Sequence, residues 1–277
     1  MNRYAALLAL ALAAGCSVRE GVIGRAGSAA APREYTVRHG LVYARPDGEA
    51  LTLDAYIPEG PGPFPGLLVI HGGGWAARRP GDMVHIARAL ARRGYVALNV
   101  IYRLAPKHRY PAAVDDVREA ARWARAEAPA LKLDPKRLGA WGYSAGAHLA
   151  AMLGVAPGPV PAAGAVVAGG LPADFSRWPH SPIITPFIGK TYAEAPEVWK
   201  EASPVAHAAA GAPPFFLYHG LADRLVEPEQ AALMAAALRR AGGRAEFYGL
   251  RGLDHTTAFV FDSGAVAAAI DFLDAAL

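Results

Sequence analysis

Apolar and polar residues alternate in two stretches near the start of the chain, residues 34–43 and 50–57. Alternation with a period of two is typical of strands that bury one face, and the Asp47-Gly48 pair between the stretches predicts a hairpin. The segments that follow are mostly short apolar runs typical of buried strands, and they alternate with segments of helical periodicity. Strands are predicted at residues 65–70, 95–101, 137–143, 163–168, 213–219 and 244–249, and helices at residues 83–92, 111–128, 145–153, 228–240 and 263–276.

This order of elements predicts an α/β fold with a mostly parallel central sheet of about eight strands, helices on both faces and an antiparallel start. Residues 171–205 break the alternation, because they are rich in proline and aromatic residues and form a long connection. Long insertions of this kind are typical of lids and binding loops. We therefore expect one domain over residues 34–277, with residues 171–205 as a lid or substrate insertion.

The start of the chain has the layout of a bacterial secretory signal. Residues 1–15 hold a weakly basic start, an apolar run too short to span a bilayer, and small residues before Cys16. The Gly15-Cys16 pair resembles the cut site of bacterial lipoproteins, in which the cysteine is lipidated. We therefore expect an exported domain held on a membrane of the cell envelope through Cys16. The alternative is an ordinary signal peptide and a periplasmic or secreted protein. Residues 16–33, rich in Gly, Ala and Ser, predict a flexible tether.

Composition narrows the classes of function. The chain has 277 residues, of which 53% are hydrophobic and 19% charged, and this excludes a disordered chain. One cysteine excludes an internal disulfide, and the histidines lack the spacing of common metal sites. The 28 basic and 24 acidic residues are interspersed, so no basic patch indicates nucleic-acid binding. The sequence does not indicate an oligomeric state.

A candidate nucleophile lies in the segment Gly142-Tyr143-Ser144-Ala145-Gly146, which joins a predicted strand to a predicted helix. In a G-x-S-x-G turn the chain bends sharply at the serine, and the glycines let neighbouring backbone approach. The serine oxygen then stands above the sheet, at the start of the helix. This context favours Ser144 as a nucleophile over a plain turn of small residues.

The segment His71-Gly72-Gly73-Gly74-Trp75 directly follows a predicted strand. A glycine run lets backbone N–H groups face a cavity, where they can stabilise an oxyanion. We assign this role to the N–H groups of Gly73, Gly74 and Ala145. The alternative, a phosphate-binding loop, lacks the Lys-Ser/Thr pair and the usual glycine spacing. The imidazole of His71 is interpreted as a brace for the glycines.

Four motifs together resemble those of α/β-hydrolase esterases: H-G-G-G-W, Y-R-L-A-P, Y-P-A-A-V-D-D and G-Y-S-A-G-A-H-L-A, at residues 71–75, 102–106, 110–116 and 142–150. The chain is similar to the group of hormone-sensitive lipase and of bacterial feruloyl and acetylxylan esterases. Tyr143 departs from the hormone-sensitive-lipase pattern, which carries Asp there. The G-Y-S-A-G-A-H-L form of the motif around Ser144 is closer to that of the carbohydrate-ester and arylformamidase-like branch. The resemblance implies the α/β-hydrolase fold and no cofactor.

The resemblance also implies a catalytic order of Ser, then an acid, then His. Asp223 lies in the loop after the predicted strand 213–219, and His255 follows the last predicted strand, so we assign them as acid and general base. The neighbouring carboxylates Glu227 and Asp254 are weaker candidates. Other polar residues are interpreted as structural: His148, His219, and the pair Asp115 and Asp116, of which one is expected to bind Arg103.

These assignments predict two-step acyl transfer through Ser144 on a small-molecule ester with a short-chain or aromatic acyl group. Two alternatives remain: amide hydrolysis by the same triad, as in arylformamidase-like or peptidase-like enzymes, and a non-catalytic binding protein. The presence of all three triad residues disfavours the second. Aromatic residues are expected to line the substrate pocket: Trp75, Tyr143, Trp178, Phe187 and Tyr192.

Overall fold

The structure, a computed structural model, describes residues 18–21, 31–77, 79–156 and 163–277. The predicted signal peptide at residues 1–15, the predicted lipid attachment point Cys16 and most of the predicted tether lie outside the described residues. In the segments that the structure describes, no helix is long and apolar enough to cross a membrane.

The centre of the fold is a nine-stranded sheet with the order β1-β9-β8-β7-β6-β4-β5-β3-β2. Strands β2 and β3 form the predicted antiparallel hairpin, β3 pairs antiparallel with β5, and all other pairs are parallel. The strands are β1 (Val18–Gly21), β2 (Tyr35–Ala44), β3 (Leu51–Pro58), β4 (Phe64–Ile70), β5 (Val96–Val100), β6 (Leu133–Tyr143), β7 (Val166–Gly169), β8 (Phe215–Gly220) and β9 (Ala245–Leu250).

Each predicted strand is present, and β1 adds one more. Strand β1 falls within the segment predicted as a tether, and it pairs in parallel with β9 at the sheet edge. Strands β5, β7 and β8 are buried along their whole length, as their continuous apolar sequences predict. Edge strand β2 instead alternates between half-buried and exposed positions in its first half.

Helices cover both faces of the sheet. Helices α2, α4 and α7 pack into one apolar core, and α1 and α9 pack into the other, so the predicted layering is confirmed. Helix α1 ends at Gly94, whose φ of 102° suits a residue without a side chain. The helices are α1 (Val84–Arg93), α2 (Ala112–Ala126), α3 (Ala128–Leu131), α4 (Ala145–Val155), α5 (Ile184–Ile188), α6 (Pro196–Glu201), α7 (Glu229–Arg240), α8 (His255–Val260) and α9 (Ser263–Ala276).

The predicted partner of Arg103 is Asp116. The buried carboxylate of Asp116 accepts hydrogen bonds from the Arg103 backbone N–H at 2.8 Å and from its guanidinium, whose nearest nitrogen is at 2.8 Å. This pair fastens the segment after β5 to helix α2. The same segment reaches the glycine loop, because the Ala105 N–H donates to the carbonyl of Trp75 at 2.9 Å.

The insertion at residues 171–205 carries the short helices α5 and α6 and packs against the core through buried Phe175 and Trp199. Its ends are fixed by buried polar side chains. The Ser203 hydroxyl accepts from the Phe175 N–H at 2.9 Å and donates to the Trp199 carbonyl at 2.7 Å. The Gln230 side-chain oxygen accepts from two N–H groups at the start of the insertion.

Candidate active site

Ser144 occupies a strained backbone conformation between strand β6 and helix α4. Its φ of 55° and ψ of −120° lie in a region that residues with side chains rarely adopt. The turn requires both flanking glycines. A β-carbon on Gly142 would overlap the carbonyl group of Gly146, and a β-carbon on Gly146 would overlap the carbonyl oxygen of Ile70. The sequence therefore fixes this turn by leaving no room for side chains.

The glycine loop packs directly against the serine turn. A β-carbon on Gly72 would lie 2.9 Å from the carbonyl oxygen of Tyr143 and 3.4 Å from the β-carbon of Ser144. Gly73 and Gly74 both have positive φ, at 105° and 59°. Gly74 and Ser144 line the same cavity, and Ala145 is the first residue of α4. The loop thus brings Gly74 to the cavity that Ser144 lines, while Gly73 precedes it in the same loop and is not part of the cavity wall.

His71 braces this loop, as predicted. Its Nδ1 donates to the carbonyl of Gly72 at 2.7 Å, and its ring stacks on Tyr102 with a centroid distance of 4.4 Å. The Tyr102 hydroxyl donates in turn to the His71 carbonyl at 3.0 Å. Because His71 is fully buried by these contacts, it holds the backbone of the loop in place.

Asp223 and His255 form a hydrogen-bonded pair. Asp223 lies in the loop after β8, His255 begins α8, and the Nδ1 of His255 donates to Oδ2 of Asp223 at 2.6 Å. The other carboxylate oxygen accepts the N–H groups of Leu225 and Val226, each at 2.9 Å. Burial alone would raise the pKa of Asp223, but hydrogen bonds from His219 and His255 outweigh it and hold that pKa well below its usual range. The carboxylate is therefore ionised at neutral pH.

Tyr143 positions His255 and does not line the cavity. Its hydroxyl donates to the His255 carbonyl at 2.6 Å, and the two rings lie 5.3 Å apart. Burial raises the pKa of Tyr143 far above neutrality, so the hydroxyl keeps its proton. The expectation that Tyr143 contacts the substrate is therefore wrong. Its side chain belongs to the buried core beneath the site and supports His255.

The weaker candidates for acid and base have other partners. The Asp254 carboxylate caps helix α8 by accepting the N–H groups of Thr256 and Thr257 at 3.0 and 2.8 Å. The Glu227 carboxylate accepts the indole N–H of Trp178 at 3.0 Å. Neither carboxylate is hydrogen-bonded to the ring of His255, so the structure favours Asp223.

His148 connects three parts of the site. Its Nε2 donates to the carbonyl of Ala202 in the insertion at 2.8 Å, and its Nδ1 accepts the indole N–H of Trp75 at 3.2 Å. His148 itself belongs to α4, four residues after the nucleophile. Burial lowers the pKa of His148 to about 4, so the ring is neutral at pH 7 and both bonds persist.

An apolar cavity of about 480 Å³ opens at Ser144. Trp75 and Trp178 line it, as expected, together with aliphatic residues that the sequence did not single out. Phe187 stacks behind Trp75 at 4.5 Å and is buried, and Tyr192 packs against Trp199 at the edge of another depression. Among the described residues of the wall, none is Asp, Glu, Lys or Arg. The wall consists of Gly74, Trp75, Ser144, Pro172, Trp178, Pro179, His180, Ser181, Pro182, Ile183, Ile184, Leu225 and Val226.

No group of three or more His, Cys, Asp or Glu side chains among the described residues is arranged to hold a metal ion. The described residues instead provide a serine hydroxyl that lines the cavity and, separately, a hydrogen-bonded imidazole–carboxylate pair.

A strained serine between a parallel strand and a helix, followed in the chain by Asp and then His after later strands, defines an α/β-hydrolase. The sequence matches the BD-FAE family over residues 53–238, which is more than half of the chain. The chain therefore belongs to the BD-FAE family.

Several curated relatives carry esterase names, and one is an arylacetamide deacetylase. Esterase LipC of Mycobacterium tuberculosis is 29% identical over 230 residues, which cover 75% of this chain and 56% of that protein. Ethyl acetate hydrolase of Pseudomonas putida is 37% identical over 111 residues, which cover 39% of this chain and 35% of that protein. The chain spans about half the length of the first curated relatives that it matches.

Superpositions on solved structures with the same fold extend over most of the chain. Esterase 2 of Thermogutta terrifontis superposes with a TM-score of 0.74 at 28% identity, covering 86% of this chain and 93% of that one. A truncated carbohydrate esterase from gut microbiota reaches a TM-score of 0.77 at 24% identity, covering 88% of this chain and 98% of that one. The second likeness concerns the fold alone.

Proposed function

We propose that this protein is a serine carboxylic ester hydrolase with Ser144 as nucleophile, His255 as general base and Asp223 as the supporting acid. The observation that carries the proposal is the strained Ser144, which faces the apolar cavity beside the glycine loop. The hydrogen bond of 2.6 Å between His255 and Asp223 supports it, because it orients the imidazole and leaves Nε2 as the basic nitrogen.

The proposed reaction is two-step acyl transfer. His255 takes the proton of Ser144 while the serine oxygen attacks the ester carbonyl carbon, and the carbonyl oxygen becomes an oxyanion. The N–H groups of Gly73, Gly74 and Ala145 stabilise that charge, at roughly 3 kcal/mol for each donor. His255 then returns the proton to the departing alcohol, and a water molecule releases the acid from Ser144 by the same sequence of proton transfers.

We infer a preference for uncharged short-chain or aromatic acyl groups. The cavity of about 480 Å³ has a wall of tryptophan, proline and aliphatic side chains, and such a wall favours apolar groups over charged ones. Two names among the relatives agree with small acyl groups. Esterase 2 of Thermogutta terrifontis was solved in butyrate-bound and propionate-bound forms, and the relative from Pseudomonas putida is an ethyl acetate hydrolase.

We also propose that the protein is exported and anchored to a membrane through lipid on Cys16. The support is the sequence alone, namely the apolar run and the small residue before the cysteine. The test compares the wild type with Cys16→Ser by detergent phase partition and by labelling with radioactive palmitate in a bacterial host. We expect the wild type alone to be labelled and to enter the detergent phase; an unlabelled wild type would contradict the anchor.

The test of the activity is hydrolysis of a p-nitrophenyl ester series from acetate to laurate, run beside feruloyl and acetylated sugar esters and the matched anilides. We expect turnover of the short esters, little turnover of the anilides, and none with Ser144→Ala. If the anilides were turned over faster, amide hydrolysis would replace the proposal. If Ser144→Ala kept its activity, the assigned nucleophile would be wrong.

A further inference from the structure

The next-to-last residue of strand β8, His219, is a buried histidine that the proposed reaction does not use. The His219 side chain is fully buried and lies four residues before Asp223. Its Nε2 is 2.8 Å from the carbonyl oxygen of Val226 and 3.2 Å from Oδ2 of Asp223. Both neighbours are hydrogen-bond acceptors, because one is a carbonyl and the other belongs to an ionised carboxylate. Nε2 therefore carries a proton and donates between them.

With His219 included, both oxygens of the Asp223 carboxylate have two donors each. Oδ1 accepts the N–H groups of Leu225 and Val226, and Oδ2 accepts from both imidazoles. A carboxylate offers about four lone-pair sites, so this one is fully engaged. A carboxylate held in this way can neither rotate nor slide, and it presents one fixed lone pair to His255.

Two further ionisable groups near Asp223, on strand β6 and at the start of α8, are engaged elsewhere. The Tyr143 hydroxyl is bonded to the His255 carbonyl, and the Asp254 carboxylate caps α8. Neither donates to Asp223, so His219 and His255 are the side chains that determine how its charge is held.

The position of His219 has a cost that its packing does not explain. Its Nδ1 is buried and has no hydrogen-bond partner among the described residues. Leaving a buried polar atom without a partner costs free energy, and an apolar side chain could fill the same space without that cost. The Nε2 bond to the acid loop is therefore the contact that accounts for a histidine here.

We propose that His219 is a positioning residue of the catalytic acid, whose N–H fixes Oδ2 of Asp223 in the orientation that His255 needs. The inference rests on the proposed function, in which Asp223 supports the general base. It acts at a distance from the substrate, because His219 does not line the cavity. Its loss should therefore change turnover and its pH dependence while leaving substrate binding almost unaltered.

The experiment compares two kinds of variant at His219. His219→Leu and His219→Phe, which differ in volume, both remove the donor, whereas His219→Gln replaces it with an amide N–H at similar reach. The control is Phe216→Leu on the same strand. Phe216 is equally buried but packs against Tyr248 and Phe272, away from the acid. The readouts are kcat, KM and the pH profile of kcat/KM, each measured well below the melting temperature.

We expect both donor-free variants to lower kcat by roughly 10- to 100-fold with little change in KM, because the acid–base pair loses its orientation. The acidic limb of the pH profile of kcat/KM reports the base that Asp223 orients. A positioning role therefore predicts that both variants change this limb, whereas a purely structural role would leave it in place. His219→Gln should recover most of the turnover, and Phe216→Leu should keep the wild-type profile.

The proposal is overturned if either donor-free variant, once folded, keeps the wild-type kcat and pH profile. It is equally overturned if His219→Gln loses as much as the donor-free variants, or if Phe216→Leu shifts the profile by the same amount. Failure of the proposed function has a different signature. In that case the wild type would show no ester turnover, or Asp223→Asn and Ser144→Ala would turn over esters at the wild-type rate, whatever the His219 variants did.

Discussion

The two sides of the candidate site are built by different means. On the nucleophile side, Gly142 and Gly146 leave room for backbone to touch backbone, and the glycine loop lies directly against the serine turn. On the acid–base side, Asp223 is held by side-chain and loop hydrogen bonds from separate parts of the chain. The nucleophile side requires positions without side chains, namely glycines. The acid–base side requires particular hydrogen-bonding atoms. Substitutions should therefore damage folding on one side and turnover on the other.

The largest expected effect is loss of folding in Gly146→Ala. The added β-carbon would overlap the carbonyl oxygen of Ile70, a backbone atom that cannot move without displacing β4. We expect at least about 4 kcal/mol of lost stability, or no folded protein. The control is Gly81→Ala, where an added β-carbon meets no atom within 4 Å. Urea unfolding of both variants measures the difference in stability. Equal stability of the two would contradict the claim that the serine turn leaves no room for a side chain at Gly146.

On the other side, Asp223→Asn should stay folded and lose kcat by about 10⁴-fold, because the amide no longer selects the productive tautomer of His255. Asp115→Asn, an exposed carboxylate on α2, serves as the control and should keep the wild-type kcat. Circular dichroism confirms folding and ester hydrolysis gives kcat. A variant that unfolds, or one that keeps more than a tenth of the activity, contradicts this division of roles.

His148 tests whether the nucleophile side also depends on a side chain. Burial lowers the pKa of His148 to about 4 in the folded protein, below the usual value of 6.5. As pH falls from 6.5 towards 4, the unfolded state takes up this proton and the folded state does not, so stability is lost across that window. The loss is on the order of 3 kcal/mol.

The measurement is urea unfolding of the wild type and of His148→Gln at pH 7 and at pH 4.5. We expect the wild type to lose more stability than the variant between these pH values, because glutamine does not titrate. Equal losses would show that His148 is not held neutral by the contacts with Trp75 and Ala202.

The smallest effect concerns the bond between Trp178 and Glu227, which joins the insertion to the acid loop. Glu227→Ala should raise KM by about twofold and leave kcat unchanged, because the bond is exposed and weak. A double-mutant cycle with Trp178→Phe measures the coupling, and we expect the double variant to be no worse than either single one. Additive effects would mean that the two side chains act separately on the substrate.

The nucleophile side could be predicted from the sequence, because its signals are local. Glycines at fixed spacing around Ser144, after an apolar strand, specify the turn, and the brace from His71 follows from its place on the same loop. Asp223 and His255 could be assigned from their order along the chain. The contact between them, and the capping of α8 by Asp254, needed the structure.

Other features could not be predicted from the sequence, because they depend on the direction in which a side chain points once the strands and helices have packed together. Tyr143 and Phe187 were expected to line the pocket, but one lies beneath the site and the other fills space behind Trp75. His219 lies near the end of β8, and nothing in the sequence pattern shows that its Nε2 points at the acid loop. Strand β1 lacks a strong apolar pattern, and only its pairing with β9 reveals it.

The most direct test of the account is covalent labelling by a fluorophosphonate probe followed by peptide mass spectrometry. The similar esterase 2 of Thermogutta terrifontis was solved in a form phosphonylated by sarin, so that protein reacts covalently with an organophosphorus compound. We predict a single adduct on Ser144, formed at least about 10³-fold more slowly in His255→Ala, which lacks the general base. An adduct on another residue, or labelling of Ser144→Ala at the wild-type rate, would contradict the assigned nucleophile.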